Sequence, residues 1–141
     1  MAAIDTSTDL GARAAARLGD EQVLWLVTVD PDGAPQPTPV WFSWDGAHEV
    51  VVKSQPRTAK LRNVRGNDHV AVHLNSTRSG DDVVVLTGTA ARDDGGLSPQ
   101  ERAAYDAKYD EGIRGLGMTP DGFHEDYSVT VRVRLERLRG Y

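Results

Sequence analysis

Three prolines at alternate positions constrain the fold of this chain more than any other feature. Pro35, Pro37 and Pro39 lie in residues 34–44, which otherwise have the apolar and aromatic character of a β-strand. Each proline lacks the N–H donor that a strand uses in the middle of a sheet, so three of them cannot share a central ladder. The first half of this strand must be a sheet edge, a bulge, or a place where something other than a strand lies alongside.

Five other segments have the alternation and β-branched content of strands. They are residues 22–29, 49–54, 69–75, 82–92 and 128–135. Turns rich in Asp, Pro and Gly follow the first two predicted strands of the chain, at residues 30–33 and 45–46. Hairpin links without a repeated βαβ unit predict a mainly β domain, with six antiparallel strands in a barrel and flanking helices.

Three segments are predicted to be helical. Residues 6–18 can be capped by Ser7 or Thr8 and ended by Gly19. A basic helix is expected over residues 57–65, and a capping box with proline at the first helical position opens a third helix over residues 98–111. Residues 112–117 are rich in glycine and are predicted to be a mobile connection. At 141 residues, the chain 1–141 is expected to form one domain.

Composition excludes several classes of function. The chain has no cysteine, which rules out disulfides, thiol nucleophiles and zinc–cysteine sites. A net charge of −5 disfavours a general nucleic-acid-binding protein. The apolar runs are short and no secretory signal is evident, so we expect no membrane span and, by default, a cytoplasmic location. His69 and His73 would lie about 13 Å apart along a strand, so we predict no metal site.

The basic segment that follows the third strand is the first candidate site. If its helix begins near Arg57, then Arg57, Lys60, Leu61 and Val64 fall within about a third of the helix circumference. Leu61 and Val64 must face the core. Arg57 and Lys60 are therefore predicted to lie beside the buried stripe.

Arg62 and Arg65 point to the other side of this predicted helix and are better candidates for surface charge. A helix N-terminus offers free N–H groups and a positive dipole end, which suit a phosphate. Our hypothesis is a phosphate-bearing cofactor held by Arg57, Thr58 and Lys60. The alternative is a solvated helix face without a ligand.

The tryptophans of the proline-broken strand form the second candidate site. Trp41 and Trp44 are three residues apart, so in a strand they point to opposite faces. One of them is therefore expected at a surface, an interface or a ligand. Simple core packing with partial exposure is the alternative.

Residues 26–33, 37–42 and 54–63 resemble the pyridoxamine 5′-phosphate oxidase-like flavoprotein superfamily, and within it the small reductases that use the deazaflavin coenzyme F420. The resemblance implies a split β-barrel and a homodimer with two cofactor sites at its interface. It implies that the ring system lies along residues 38–41 and the end of the third strand. The expected cofactor-binding residues are Thr38, Pro39, Val40, Trp41, Val52, Lys53, Ser54, Arg57, Thr58 and Lys60.

The resemblance further implies an F420-dependent oxidoreductase that transfers a hydride between the reduced deazaflavin and an unsaturated organic substrate. The alternatives are an FMN-dependent oxidoreductase and a non-enzymatic carrier of F420, FMN or haem. No tryptophan follows Trp44, which disfavours vitamin B6 oxidation. Tyr105, Tyr109 or His73 could donate a proton, but each is more often structural, so we assign no catalytic acid.

Overall fold

The computed structural model describes residues 2–141. Its elements, in chain order, are α1 (Asp9–Asp20), β1 (Leu24–Val29), β2 (Pro35–Val40), β3 (Ser43–Trp44), β4 (Glu49–Ser54), α2 (Ala59–Gly66), β5 (His69–His73), β6 (Val84–Asp93), α3 (Pro99–Lys108), α4 (Asp110–Gly115), α5 (Pro120–Asp126) and β7 (Val129–Gly140).

The strands form one antiparallel sheet in the order β2-β1-β5-β6-β7-β4-β3. Residues 2–141 contain seven strands and not the six predicted, because residues 34–44 are divided into β2 and β3. These two strands lie at opposite edges of the sheet, yet only Trp41 and Phe42 connect them. Three Cα–Cα steps span at most about 11 Å, so the sheet must curl until its edges meet. The curled sheet with flanking helices confirms the predicted split-barrel class.

The prediction that the proline-rich segment is a sheet edge is confirmed. Strand β2 pairs only with β1, in a register that places Pro35 opposite Val29 and Pro39 opposite Trp25. Because backbone N–H groups alternate in direction along a strand, the three prolines all omit a donor on the outer side. Gln36, Thr38 and Val40 remain to pair with β1.

The barrel core is formed by every second side chain of the strands. Leu24, Leu26, Val52, Val72, Leu86 and Val131 are each at most 1% exposed. Helix α1 adds Ala14 and Leu18 to this core, and Thr8 is its N-cap, accepting from the Gly11 N–H. The predicted helix and cap are thus confirmed.

Helix α2 begins at Ala59, two residues later than predicted. Thr58 is the extended N-cap residue, and Arg57 before it has a φ of 65°. A residue in this left-handed region interrupts the helix, so residues 57 and 58 lie outside it. Asn63 on α2 donates to the Thr28 hydroxyl of β1 at 3.0 Å, which fixes the helix to the barrel.

The prediction of a mobile connection over residues 112–117 is wrong. Most of this segment belongs to α4, and α5 follows as a helix that the sequence reading did not contain. A β-carbon on Gly112 would lie 2.8 Å from the Trp41 ring, so this glycine permits close packing of a helix against an aromatic side chain.

Arg132 of β7 connects α3 to the outer face of the sheet. Its guanidinium donates to Glu101 at 2.6 and 2.9 Å, to Asp93 at 2.6 Å and to Glu49 at 2.8 Å. Glu101 also completes the predicted capping box with Ser98. Hydrogen bonding from Arg132 lowers the pKa of Glu101 to about 2.

We predict that Arg132→Leu destabilises the protein by about 1–2 kcal/mol, because three carboxylates lose a charged donor at a partly exposed position. Urea unfolding measures this change.

The depressed pKa of Glu101 adds stability above pH 4.5 that disappears as the pH falls towards 2, and the variant should lose this part of the acid sensitivity. Arg134→Leu, an exposed change on the same strand, is the control. Equal destabilisation by both variants would contradict the assignment.

Candidate functional site

A cavity of about 320 Å³ lies where β2 ends. It is lined by Pro39, Val40, Trp41, Lys53, Lys60, Tyr105, Leu116, Phe123 and Tyr127. These residues come from the edge strand β2, from β4, from the start of α2 and from the helical segment 99–127. The volume is at the lower end of the range for small-molecule sites.

One wall of this cavity is a stack of aromatic rings. The Trp41 ring is parallel to that of Tyr109, with centroids 4.5 Å apart and an angle of 4° between the planes. Phe123 lies 5.6 Å from Trp41 and 4.5 Å from Tyr127, again nearly parallel. Such a wall offers a flat apolar surface to a planar ligand.

The Tyr109 hydroxyl stabilises the two-residue link between β2 and β3. It accepts from the Phe42 N–H at 2.8 Å and lies 2.7 Å from the Gln22 carbonyl and 2.9 Å from that of Phe42. Burial raises the pKa of Tyr109. Because its hydroxyl is engaged by the backbone, Tyr109 serves the structure and is not available to donate a proton to a ligand.

Two lysines form the polar part of the cavity. Burial lowers the pKa of both Lys53 and Lys60, which means that their charged forms are poorly solvated. The Lys53 ammonium donates to the Thr130 hydroxyl at 2.9 Å. Within residues 2–141, neither lysine forms an ion pair with a carboxylate. The arrangement suits an anionic group between them.

Tyr105 contributes a second unusual feature. Its side chain is 1% exposed, and its hydroxyl has no hydrogen-bond partner in the described part of the chain. Burial raises the pKa of Tyr105, so the phenol stays protonated. A buried donor without a partner is rare in native proteins, and the position of Tyr105 on the cavity wall makes its hydroxyl a candidate donor to a bound molecule.

Five of the ten predicted site residues line this cavity, namely Pro39, Val40, Trp41, Lys53 and Lys60. Thr38 is exposed on β2 beside them. The Val52 side chain points into the barrel core, away from Lys53, so it offers a cavity ligand no side-chain contact. The Ser54 and Thr58 hydroxyls are 3.1 Å apart and join the end of β4 to the N-cap of α2.

Arg57 lies elsewhere. It lines a separate groove together with Arg62 and Arg65, the two arginines that were predicted to lie on the opposite side from it. The predicted positions assume a helix that begins at Arg57. In the structure α2 begins only at Ala59, and the backbone of Arg57 is left-handed. The prediction that Arg57 and Lys60 lie together at one site is therefore wrong.

The sequence reading missed Leu116, Phe123 and Tyr127 as cavity residues. The four-residue spacing of Phe123 and Tyr127, behind the possible cap Thr119, was the available signal for α5. The two tryptophans lie in different environments, although Trp41 falls between β2 and β3 and not within one strand as predicted. Trp41 packs in the aromatic cluster of α3–α5, and Trp44 packs against the barrel core.

The described residues contain no group of three or more His, Asp or Glu side chains placed to hold a metal ion. No helix within residues 2–141 is both long and apolar enough to cross a membrane.

Solved structures with this fold include proteins with different stated roles. An F420 reductase is 22% identical, with a TM-score of 0.65 over 88% of this chain and 94% of that one. A conserved hypothetical protein from Mycobacterium tuberculosis is 21% identical, with a TM-score of 0.66 over 91% and 81%. HutZ, the heme storage protein from Vibrio cholerae, is 18% identical, with a TM-score of 0.68 over 94% and 95%. At these identities the similarity shows the fold.

None of the curated proteins matches the chain. The family model described as pyridoxamine 5′-phosphate oxidase matches residues 10–139, which is almost the whole chain. The protein therefore belongs to the pyridoxamine 5′-phosphate oxidase family.

Proposed function

We propose that this protein is an oxidoreductase that uses coenzyme F420 and acts on an unsaturated organic substrate. The observation that carries the proposal is the pairing of an aromatic wall with two poorly solvated lysines in one cavity. A planar ring joined to a phosphate has the complementary chemistry. The similarity of the fold to that of an F420 reductase supports the choice of ring.

The residues present fit such a cofactor. Lys53 and Lys60 would hold its phosphate, which would relieve the cost of their burial. The face of Trp41 would support the ring, and the unpartnered Tyr105 hydroxyl would donate to one of its polar atoms. Arg57 faces the other groove, so we assign the phosphate to the two lysines.

The protein would bind and orient the cofactor and exclude water from it, while the reduced deazaflavin supplies the hydride. Phe123 and Tyr127 limit access from one side of the cavity. Leu116 lines the same cavity and is 54% exposed, which makes it the candidate apolar contact for the substrate.

FMN is the second candidate cofactor, because it presents the same ribityl phosphate to Lys53 and Lys60. A haem carrier is less well supported by this cavity. The residues that line it include no histidine, methionine or cysteine, and the only side chains of a type that ligates haem iron are those of Tyr105 and Tyr127.

We also propose that the protein forms a homodimer through the outer face of β1, β5 and β6. Trp25, Val27, Ala71, His73 and Val85 share this face and are only partly buried. The Trp25 and His73 rings on this face are stacked, with centroids 6.0 Å apart. An apolar patch of this kind is typical of a subunit interface, and the resemblance implies cofactor sites at that interface.

We predict micromolar binding of F420 and much weaker binding of FMN in a fluorescence titration. Lys60→Ala should weaken F420 binding by about 1–3 kcal/mol, because a charged hydrogen bond to phosphate is lost. Arg78→Ala, at an exposed loop position, is the matched control and should bind as the wild type does. Preferential FMN binding would overturn the choice of cofactor, and unchanged affinity of Lys60→Ala would overturn the anchor.

We predict that F420 affinity begins to fall at an alkaline pH that is still below 10.5, the ordinary pKa of a lysine. The lowered pKa values make both lysines lose charge early in the free protein, whereas the phosphate raises them in the complex. Binding should therefore take up protons, which calorimetry in buffers of different ionisation enthalpy detects. A constant affinity from pH 7 to pH 10, without proton uptake, would be inconsistent with lysine anchoring.

We predict that the wild-type protein sediments as a dimer and that Val27→Asp converts it to a monomer. The aspartate would place two charges in an apolar interface. Ala103→Asp, on the exposed face of α3, is the control and should stay dimeric. A monomeric wild type, or dimerisation unaffected by Val27→Asp, would show that this face is not the interface.

A further inference from the structure

We propose a second binding site, for an amphipathic carboxylate, in the groove that contains Arg57. The groove has a volume of about 680 Å³ and lies between α2 and the end of β6. We name it the arginine groove, after Arg57, Arg62, Arg65 and Arg92, which line it. Its function would be distinct from that of the cofactor cavity.

The floor of the arginine groove is the barrel core itself. Val64, Ala90 and Val131 line it and are 7%, 3% and 1% exposed, and Leu61 lies partly buried beside them. A ligand with an apolar chain or ring would extend the core at this end of the barrel. Burial of such a body supplies the favourable free energy, in proportion to the apolar area removed from water.

The groove is lined by four arginines and by one carboxylate, Asp68, so the charge around it is positive on balance. Arg57, Arg62 and Arg65 are exposed, and none of them forms an ion pair within residues 2–141. In the described part of the chain, the Arg62 guanidinium donates only to the Arg57 carbonyl, at 3.2 Å. Arg92 pairs with the exposed Asp94, an interaction that contributes little.

Arginines outside the groove differ among themselves. Arg13, Arg17, Arg102, Arg114 and Arg132 form ion pairs with carboxylates, and Arg78, Arg134, Arg137 and Arg139 form none within residues 2–141. The groove is distinguished by three unpaired guanidinium groups that line one apolar surface. The protein as a whole carries a net charge of −5, so carboxylates are abundant. A cluster of free guanidinium groups over an apolar floor attracts an anion and holds it bidentately.

The backbone of Arg57 gives independent support. Its φ of 65° lies in the region that glycine adopts freely and that a bulky residue adopts at a cost. A strained backbone at a groove rim is found often at functional positions. The left-handed turn directs Arg57 towards the groove and away from Lys60.

The two sites share no lining residue. The arginine groove is lined by Arg57, which precedes α2, and by Leu61 and Arg65 of α2, whereas the cofactor cavity is lined by Lys60 of the same helix. The ligand of the groove therefore has the chemistry of a carboxylate attached to an apolar chain or ring, bound independently of the cofactor.

The test is isothermal calorimetry of the full chain with dodecanoate and with dodecyltrimethylammonium, both below their micelle concentrations. The two probes have similar alkyl chains and head groups of opposite charge. We expect dodecanoate to bind at least tenfold more tightly than the cation. Arg62→Gln combined with Arg65→Gln should weaken dodecanoate at least tenfold, and Ala91→Trp, which fills the groove from an exposed strand position, should abolish its binding.

Arg137→Gln combined with Arg139→Gln, on the exposed face of β7, is the matched control and should leave dodecanoate affinity unchanged. Equal binding of the cation would overturn the proposal, as would unchanged affinity in the groove variants. Displacement of dodecanoate by F420 would also overturn it, because the groove would then belong to the cofactor site. Lys60→Ala should weaken F420 only, so failure of the proposed cofactor leaves the dodecanoate result intact.

Discussion

The fold depends on a connection of two residues between strands at opposite edges of one sheet. Trp41 and Phe42 join β2 to β3, and this short link obliges the sheet to close on itself. The Tyr109 hydroxyl stabilises the link by accepting from the Phe42 N–H, and the Lys108 ammonium donates to the Phe42 carbonyl at 2.9 Å. The same closure turns Trp41 away from the barrel core and into the aromatic cluster, where it forms the wall of the cavity.

Electrostatics then determine which side of the cavity can bind an anion. Arg132 neutralises three carboxylates and holds α3 against β7, so the helical side of the cavity is fixed and carries aromatic side chains. Lys53 and Lys60 approach from β4 and α2 and lose part of their hydration. Because burial without a counter-ion costs free energy, we propose that a bound anion supplies the charge that these lysines lack.

Local patterns in the sequence predicted the parts of the fold that local physics determines. The edge position of β2 followed from the missing N–H donors of its prolines, and the capping box at Ser98 gave the start of α3. The failures have tertiary causes. Gly112 suggested flexibility, but it is needed because the Trp41 ring lies against it. The prediction placed Lys60 at the cavity correctly but placed Arg57 with it wrongly, because the residue type of Arg57 does not reveal its left-handed backbone.

We propose that the cavity between Trp41 and Lys60 binds the cofactor, and a crystal structure of the protein with F420 tests this proposal. We predict that the phosphate lies within hydrogen-bonding distance of the Lys53 and Lys60 ammonium groups, with the ring against Trp41. A phosphate bound instead among the guanidinium groups of the arginine groove, with the cavity left to solvent, would contradict it.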